Sequence, residues 1–346
     1  MAKMIRIKDV AEAVGVSTAT VSNVINGKDQ RVSDVVREKV LNALDEMGYI
    51  RNRSAIMLAR TSSNMIGVVL PDKGGNQITL EDPYFSALVG NLEHEIRARN
   101  CYMYLIAQQT VDEIVRQAMA WNLEGLIVCN MMKKELKNLC EKYHRGIVSI
   151  DSYVNRESKF INISTDDFGG GYEMGKYLIQ KGHKKIAMLA DNDKGVDHYR
   201  WRGLQQAMKE AELPVSEGDH FVFSSSELVR NLEWERMLSK WKGYTALFVA
   251  SDFHALEVSA FLQSKGLRIP EDLSISGFDD LIYAKLARPR LTTMSQNIGH
   301  KAKLAVEALI SMDQEGEATE VTENDRWIIP VKLVERDSVS KCVQND

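Results

Sequence analysis

The chain has 346 residues, 44% of them apolar, with four cysteines and a net charge of −4. That length suits two or three domains with buried cores. No apolar run of about 18 residues could span a bilayer, no amino-terminal stretch resembles a secretion signal, and no Cys-x-x-Cys pair or Cys/His cluster suggests zinc. The expectation is a cytoplasmic protein with reduced, structural thiols and with no metal, cofactor or membrane partner.

In chain order, Val10, Ala11 and Val14 make one apolar helical stripe that ends at Gly15, a residue suited to a left-handed cap. Ser17 is a good N-cap for a second helix. That helix buries Val21, Val24 and Ile25, leaves Thr18, Ala19, Thr20, Ser22 and Asn23 outward, and closes at Asn26-Gly27. Ser33 caps a third helix with Val36, Val40, Leu44 and Met47 on its inner stripe, and Gly48 stops it. Two short helices joined by a tight turn place the second in the DNA major groove. An ordinary helical hairpin has the same spacing. Charge agrees modestly: residues 1–62 hold ten Lys/Arg and seven Asp/Glu, and the remainder holds 34 and 41, a weakly basic head on an acidic body.

The order Asp9-Val-Ala11, Gly15-Val-Ser17, Thr20-Val-Ser22, Asn26-Gly27, Val32-Ser33, Arg37-Glu-Lys-Val40, Gly48-Tyr49 and Asn52-Arg-Ser-Ala55 resembles the headpiece of the LacI/GalR family of bacterial repressors. The resemblance implies a helix-turn-helix headpiece over 1–62 with a hinge helix at 53–59. It puts Thr18, Ala19 and Asn23 on base edges, and Ser17, Thr20, Ser22 and Asn26 on phosphates. Asn52 joins the DNA contacts, Leu58 is the apolar wedge in the minor groove, and Ala55 lets paired hinge helices approach. A helix of about seven residues is marginal alone, so the hinge is expected to order only when DNA and a dimer hold it. Two positions depart from the family pattern. Asn23 stands where arginine is common, which favours adenine over guanine. Arg51 replaces a proline before the hinge.

The body alternates strand-like runs with helical patterns. The strand-like runs are 66–70, 101–106, 125–129, 146–150, 160–163, 185–189, 221–223, 246–250 and 274–278. The helical patterns are 88–99, 111–121, 135–142, 170–181, 200–211, 228–240, 253–265 and 299–312. Such alternation predicts doubly wound parallel sheets, and the length predicts two lobes. The resemblance implies a periplasmic-binding-protein-like core over 63–340. Its N-lobe would span 63–163 and 293–325, its C-lobe 164–292 and 326–340, with a tail at 341–346. The final strand, 327–333, is expected in the second lobe. Gly169, Gly170 and Gly171 lack a phosphate-loop order and read as a tight turn before a helix.

Ligands of open α/β sheets bind at the carboxyl ends of strands. That rule selects Asp72, Gln108, Asn130, Asp151, Asn192, Ser251, Asp252 and Asp279. Family correspondence adds Phe85 of Asp82-Pro-Tyr-Phe85 as a ring stacked on the ligand, Arg200 as a grip across the cleft, and Gln296 in the crossover. It keeps Asp151, Ser251 and Asp279. Asp166 and Asp280 read as helix caps. A cleft flanked by Tyr199 and Trp201 and rich in carboxylates suits a sugar or glycoside, while a purine or a phosphoprotein corepressor stays open. The expectation is a homodimeric repressor of a near-palindromic operator. A solute-binding protein without transcriptional role is the alternative. An enzyme finds no Ser-His-Asp set or phosphate loop to support it.

Overall fold

The computed structural model describes residues 5–27, 30, 32–50, 63–71, 79–107, 110–152, 160–312 and 326–342. They fall in two units that divide after Ser63. In the first, α1 (Ile7–Val14), α2 (Thr18–Ile25) and α3 (Asp34–Glu46) follow the expected boundaries. Gly15 ends α1 at φ +73°, and Ser17 Oγ accepts from the Thr20 amide at 3.1 Å to start α2. Val10, Val21, Val24, Ile25 and Val40 form a small core, with Val36, Leu44 and Met47 packed at its edge.

The second unit opens with β1 (Met65–Leu70), α4 (Pro83–Ala98), β2 (Tyr102–Ala107), α5 (Val111–Ala120), β3 (Gly125–Cys129), α6 (Lys133–Lys142), β4 (Gly146–Ile150) and β5 (Ile161–Thr165). It continues with α7 (Asp167–Gln180), β6 (Ile186–Ala190), α8 (Gly195–Glu210), β7 (His220–Val222), α9 (Glu227–Trp241), β8 (Ala246–Val249), α10 (Asp252–Ser264), β9 (Ser274–Asp279), α11 (Ile282–Leu286) and β10 (Thr292–Ser295). Then come α12 (Ile298–Ser311), β11 (Arg326–Ile329) and β12 (Lys332–Val334). One sheet has the order β11-β5-β4-β3-β1-β2 and the other β12-β10-β9-β8-β6-β7. Every pairing is parallel except β10 with β12.

Both sheets are covered on two faces. The first carries Leu88, Leu92 and Ile96 of α4 and Ala302, Ala305 and Val306 of α12 on one side. Ile114 of α5 and Leu136 and Leu139 of α6 lie on the other. The second is packed by Trp234, Trp241, Val258 and Leu262 on one face and by Met174, Leu178, Trp201 and Leu204 on the other.

Three sequence expectations are corrected. The run 327–333 is two strands in two sheets: β11 joins the first beside β5 and β12 joins the second beside β10. Pro330 lies between them, and a residue without an amide hydrogen interrupts a ladder. Residues 293–295 belong to the second sheet, because Thr293 Oγ1 donates to Asp252 Oδ1 at 2.5 Å and the Thr292 amide to Ser338 Oγ at 2.8 Å; the first sheet in turn keeps β5 through Thr165. The three glycines lie inside α7 and not in a turn before it. A Cβ on Gly171 would stand 2.0 Å from the Arg200 carbonyl oxygen, and one on Gly203 2.1 Å from that of Phe168. Glycine here lets two helix backbones nearly touch, which sets where Arg200 lies.

Candidate functional site

On α2, Thr18, Ala19 and Asn23 are exposed, as are Ser17 and Asn26, while Thr20 and Ser22 are half-buried. The buried stripe leaves these seven side chains as the helix's outer face. Ser17 Oγ and Thr20 Oγ1 share a hydrogen bond of 2.9 Å. One hydroxyl hydrogen of that pair is used and the other is left for an outside acceptor such as a phosphate. Asn26 Nδ2 donates to the Ser22 carbonyl at 2.8 Å and to Ser22 Oγ at 3.3 Å, which holds the amide against the last turn of α2. Asn52, Ala55, Leu58 and the hinge 53–59 lie outside the described residues, as do Asp72 and Gln108.

In the second unit a buried polar chain joins the carboxyl ends of the two sheets. Tyr84, at the start of α4, donates to Asp151 Oδ2 at 2.6 Å. Lys301 Nζ from α12 donates to Asp151 at 2.8 and 3.0 Å and to Gln296 Oε1 at 2.7 Å. It also meets the Tyr84 hydroxyl at 3.2 Å. Thr165 Oγ1 donates to the same Gln296 oxygen at 2.9 Å, and Gln296 Nε2 donates to Asp279 Oδ1 at 2.5 Å. Asp151 and Asp279 both have positive φ, +55° and +125°. Asp151 follows β4 and Asp279 closes β9 opposite Ser295, each in a backbone conformation uncommon for a non-glycine residue and of a kind that clusters at functional sites. Burial, then the nearby Asp252 carboxylate, pushes the Asp279 carboxyl well above the usual range. Burial, then Asp151, does the same for the Tyr84 phenol.

Asp151, Gln296 and Asp279 are therefore brought together, and the other candidates have different surroundings. Arg200 is held by Asp167 at 2.8 Å, the Ala250 carbonyl at 2.6 Å and Asp197 at 3.6 Å, with its guanidinium 3.7 Å above the Phe278 ring. Ser251 is the N-cap of α10, bonded to the His254 amide and ring. Asn130 stands exposed past β3 at φ +50°. The expectation for Phe85 is corrected. Only 4% exposed, it packs in the first core cluster edge-on to Tyr84, and Tyr84 takes the polar position. Pro83 starts the helix, and the following turn sends the first ring, Tyr84, toward Asp151 and the next, Phe85, inward.

Trp201 is likewise no flank of a cleft. It is 1% exposed, stacks on His220 and donates to Glu217. Asp252 is buried beside the cluster, accepts from Thr293 and the Leu281 amide, and is pushed up to about 7 by burial. Asp166 caps α7 at the Gly169 amide, whereas Asp280 pairs with Arg336. Sequence reasoning missed Tyr84 and Lys301. The Lys301 signal is visible in retrospect: a lysine at an inward position of an otherwise apolar stripe, Ala302, Ala305, Val306, Leu309. No group of residues fit to hold a metal ion occurs among those described, and no described helix is long and apolar enough to cross a membrane.

A helix-turn-helix unit followed by a two-lobed core with polar groups at facing strand ends defines a ligand-responsive DNA-binding regulator. Residues 6–52 match the bacterial regulatory proteins of the lacI family, and residues 176–339 match a periplasmic binding protein-like domain. The HTH-type transcriptional repressor PurR of Vibrio vulnificus is 30% identical over 98% of this chain and 99% of its own. The HTH-type transcriptional regulator DegA of Bacillus subtilis is 32% identical over 84% and 86%. The lac repressor dimer, solved bound to operator and the anti-inducer ONPF, superposes with a TM-score of 0.82 at 25% identity, covering 98% of this chain and all of that one. The chain belongs to the lacI family and is a DNA-binding transcriptional regulator.

Proposed function

We propose that the protein is a homodimeric repressor of a near-palindromic operator, acting in the cytoplasm, whose hold on DNA is set by a carbohydrate or glycoside bound between the lobes. In this reading Thr18, Ala19 and Asn23 contact bases, and Ser17, Thr20, Ser22 and Asn26 fix the register on phosphates. Asn52, Ala55 and Leu58 act at the hinge. The cleft contacts are Asp151, Gln296 and Asp279, joined by Asn130 after β3 and Ser251 after β8; Asp72, outside the described residues, is assigned to the same site by its place in the sequence alone. Arg200 and Phe85 support the walls from behind.

The observation that carries the effector reading is the polar chain from Tyr84 to Asp279. Carboxylates and amides fixed on opposite walls suit ligands rich in hydroxyl groups, which each give and take hydrogen bonds. The test is a thermal-shift screen of the full-length protein against neutral sugars, glycosides and purines, repeated on Asp279→Asn. A sugar or glycoside should raise the melting temperature of the wild type and not of the variant, while both bind the selected operator equally. A shift with purines alone, or an undiminished sugar shift in the variant, overturns the carbohydrate reading.

A further inference from the structure

Lys301 is fully buried, yet it comes from the helix that packs on the apolar face of the first sheet. Its ammonium has three hydrogens and no acceptor. All three are spent on Asp151, Gln296 Oε1 and the Tyr84 hydroxyl. A cation beside Gln296 obliges the amide to present its oxygen, and Thr165 Oγ1 reinforces that choice. The amide nitrogen is thereby turned to Asp279 on the second sheet. Lys301 itself touches no residue of that sheet in this network, and its influence there passes through one side chain.

We propose that Lys301 is a positioning residue of the cleft: it orients Gln296 so that Asp279 of one lobe is tied to Asp151 of the other, setting the spacing of the two walls before any ligand arrives. This rests on the cleft being the effector site and adds a residue that strand-end reasoning does not select. It also gives the ligand a task. A molecule that takes Asp279 Oδ1 competes with Gln296, so occupancy of that oxygen and the tie between lobes are linked through one hydrogen bond.

The test uses hydrogen exchange of the full-length protein with no small molecule added, so its outcome is independent of whether a sugar is the effector. Lys301→Met keeps an unbranched side chain one atom shorter and removes the charge. Exchange over residues 278–282 should rise about tenfold or more, as expected for loss of a hydrogen bond to a charged group, together with residues 147–152. The headpiece should exchange as in the wild type. A rise confined to 147–152 overturns the proposal and leaves Lys301 as a local partner of Asp151. Should Lys301→Met not fold, Gln296→Leu decides. Exchange should rise over 278–282 with 147–152 near the wild type, because the Lys301–Asp151 pair survives; no rise over 278–282 again overturns it. Failure of the sugar screen with a positive exchange result would sink the effector class and keep the positioning role.

Discussion

At the scale of single residues, Asn23 is the exposed amide in the middle of the outer face of α2. An amide pairs bidentately with adenine. Asn23→Ala should cost about 1–3 kcal/mol at one base pair and relax selection there, read by binding to a randomised operator library. Asp252 makes a different prediction. Its folded value near 7 lies above the unfolded carboxylate range, so the charged form opposes folding. Stability from this group is gained as pH falls through about 7 and saturates near the unfolded value, about 4. The margin of the wild type over Asp252→Asn, measured by denaturant melts, should therefore be larger at pH 5.5 than at pH 8.5. An unchanged margin would refute a protonated Asp252. Sequence position alone put Asp252 and Asp279 at strand ends. It did not tell a carboxylate facing the other lobe from one facing its own β9, because that depends on Gly277, where a Cβ would stand 2.4 Å from Asp252 Oδ1.

Among the elements, α7 and α8 show how a sequence pattern can be legible in kind and misread in use. Glycines at 171 and 175 face Gly203 and Ala207 one turn apart. The cluster reads as a turn in one dimension because close backbone approach is a property of two helices. Gly171→Ala should destabilise the core by roughly 1–3 kcal/mol through overpacking, seen as a lower melting temperature, and should weaken any effector response by moving Arg200. The head was the more readable part. Caps at Ser17 and Gly15 are local devices, and local devices survive in a single chain. Loss of the Ser17 hydroxyl, in Ser17→Ala, should cost about 1 kcal/mol of headpiece stability. The hinge belongs to this scale as well. If Leu58 is the minor-groove wedge, Leu58→Ala removes specific operator binding and spares the salt-sensitive, sequence-independent mode. Equal operator affinity in an electrophoretic shift would refute that role.

For the whole molecule, the charge split between a basic head and an acidic body favours phosphate contact by the head. Operator affinity should fall steeply between 50 and 200 mM salt, on the order of a thousandfold if about six phosphates are contacted, while binding of a neutral sugar to the core should barely change. A shallow salt slope for the operator would remove the phosphate contacts assigned to α2. The general two-sheet architecture was legible from alternation taken together with length. The places where the chain changes sheets fall roughly two to four residues later than the sequence reading puts them, at Thr165, Ser295 and Ile329 against 163, 292 and 325, since a buried strand reads the same whichever neighbour it joins.

Those changes have a mechanical consequence. Among the described residues the chain passes between the sheets three times, from Thr165 into α7, from Ser295 into α12, and from Ile329 to Lys332. A single tether would let the halves swivel, and a pair would still allow sliding. Three short straps side by side leave little beyond opening and shutting, as on a door hung from several pins. Whatever news this protein carries from metabolite to chromosome is then written as an angle.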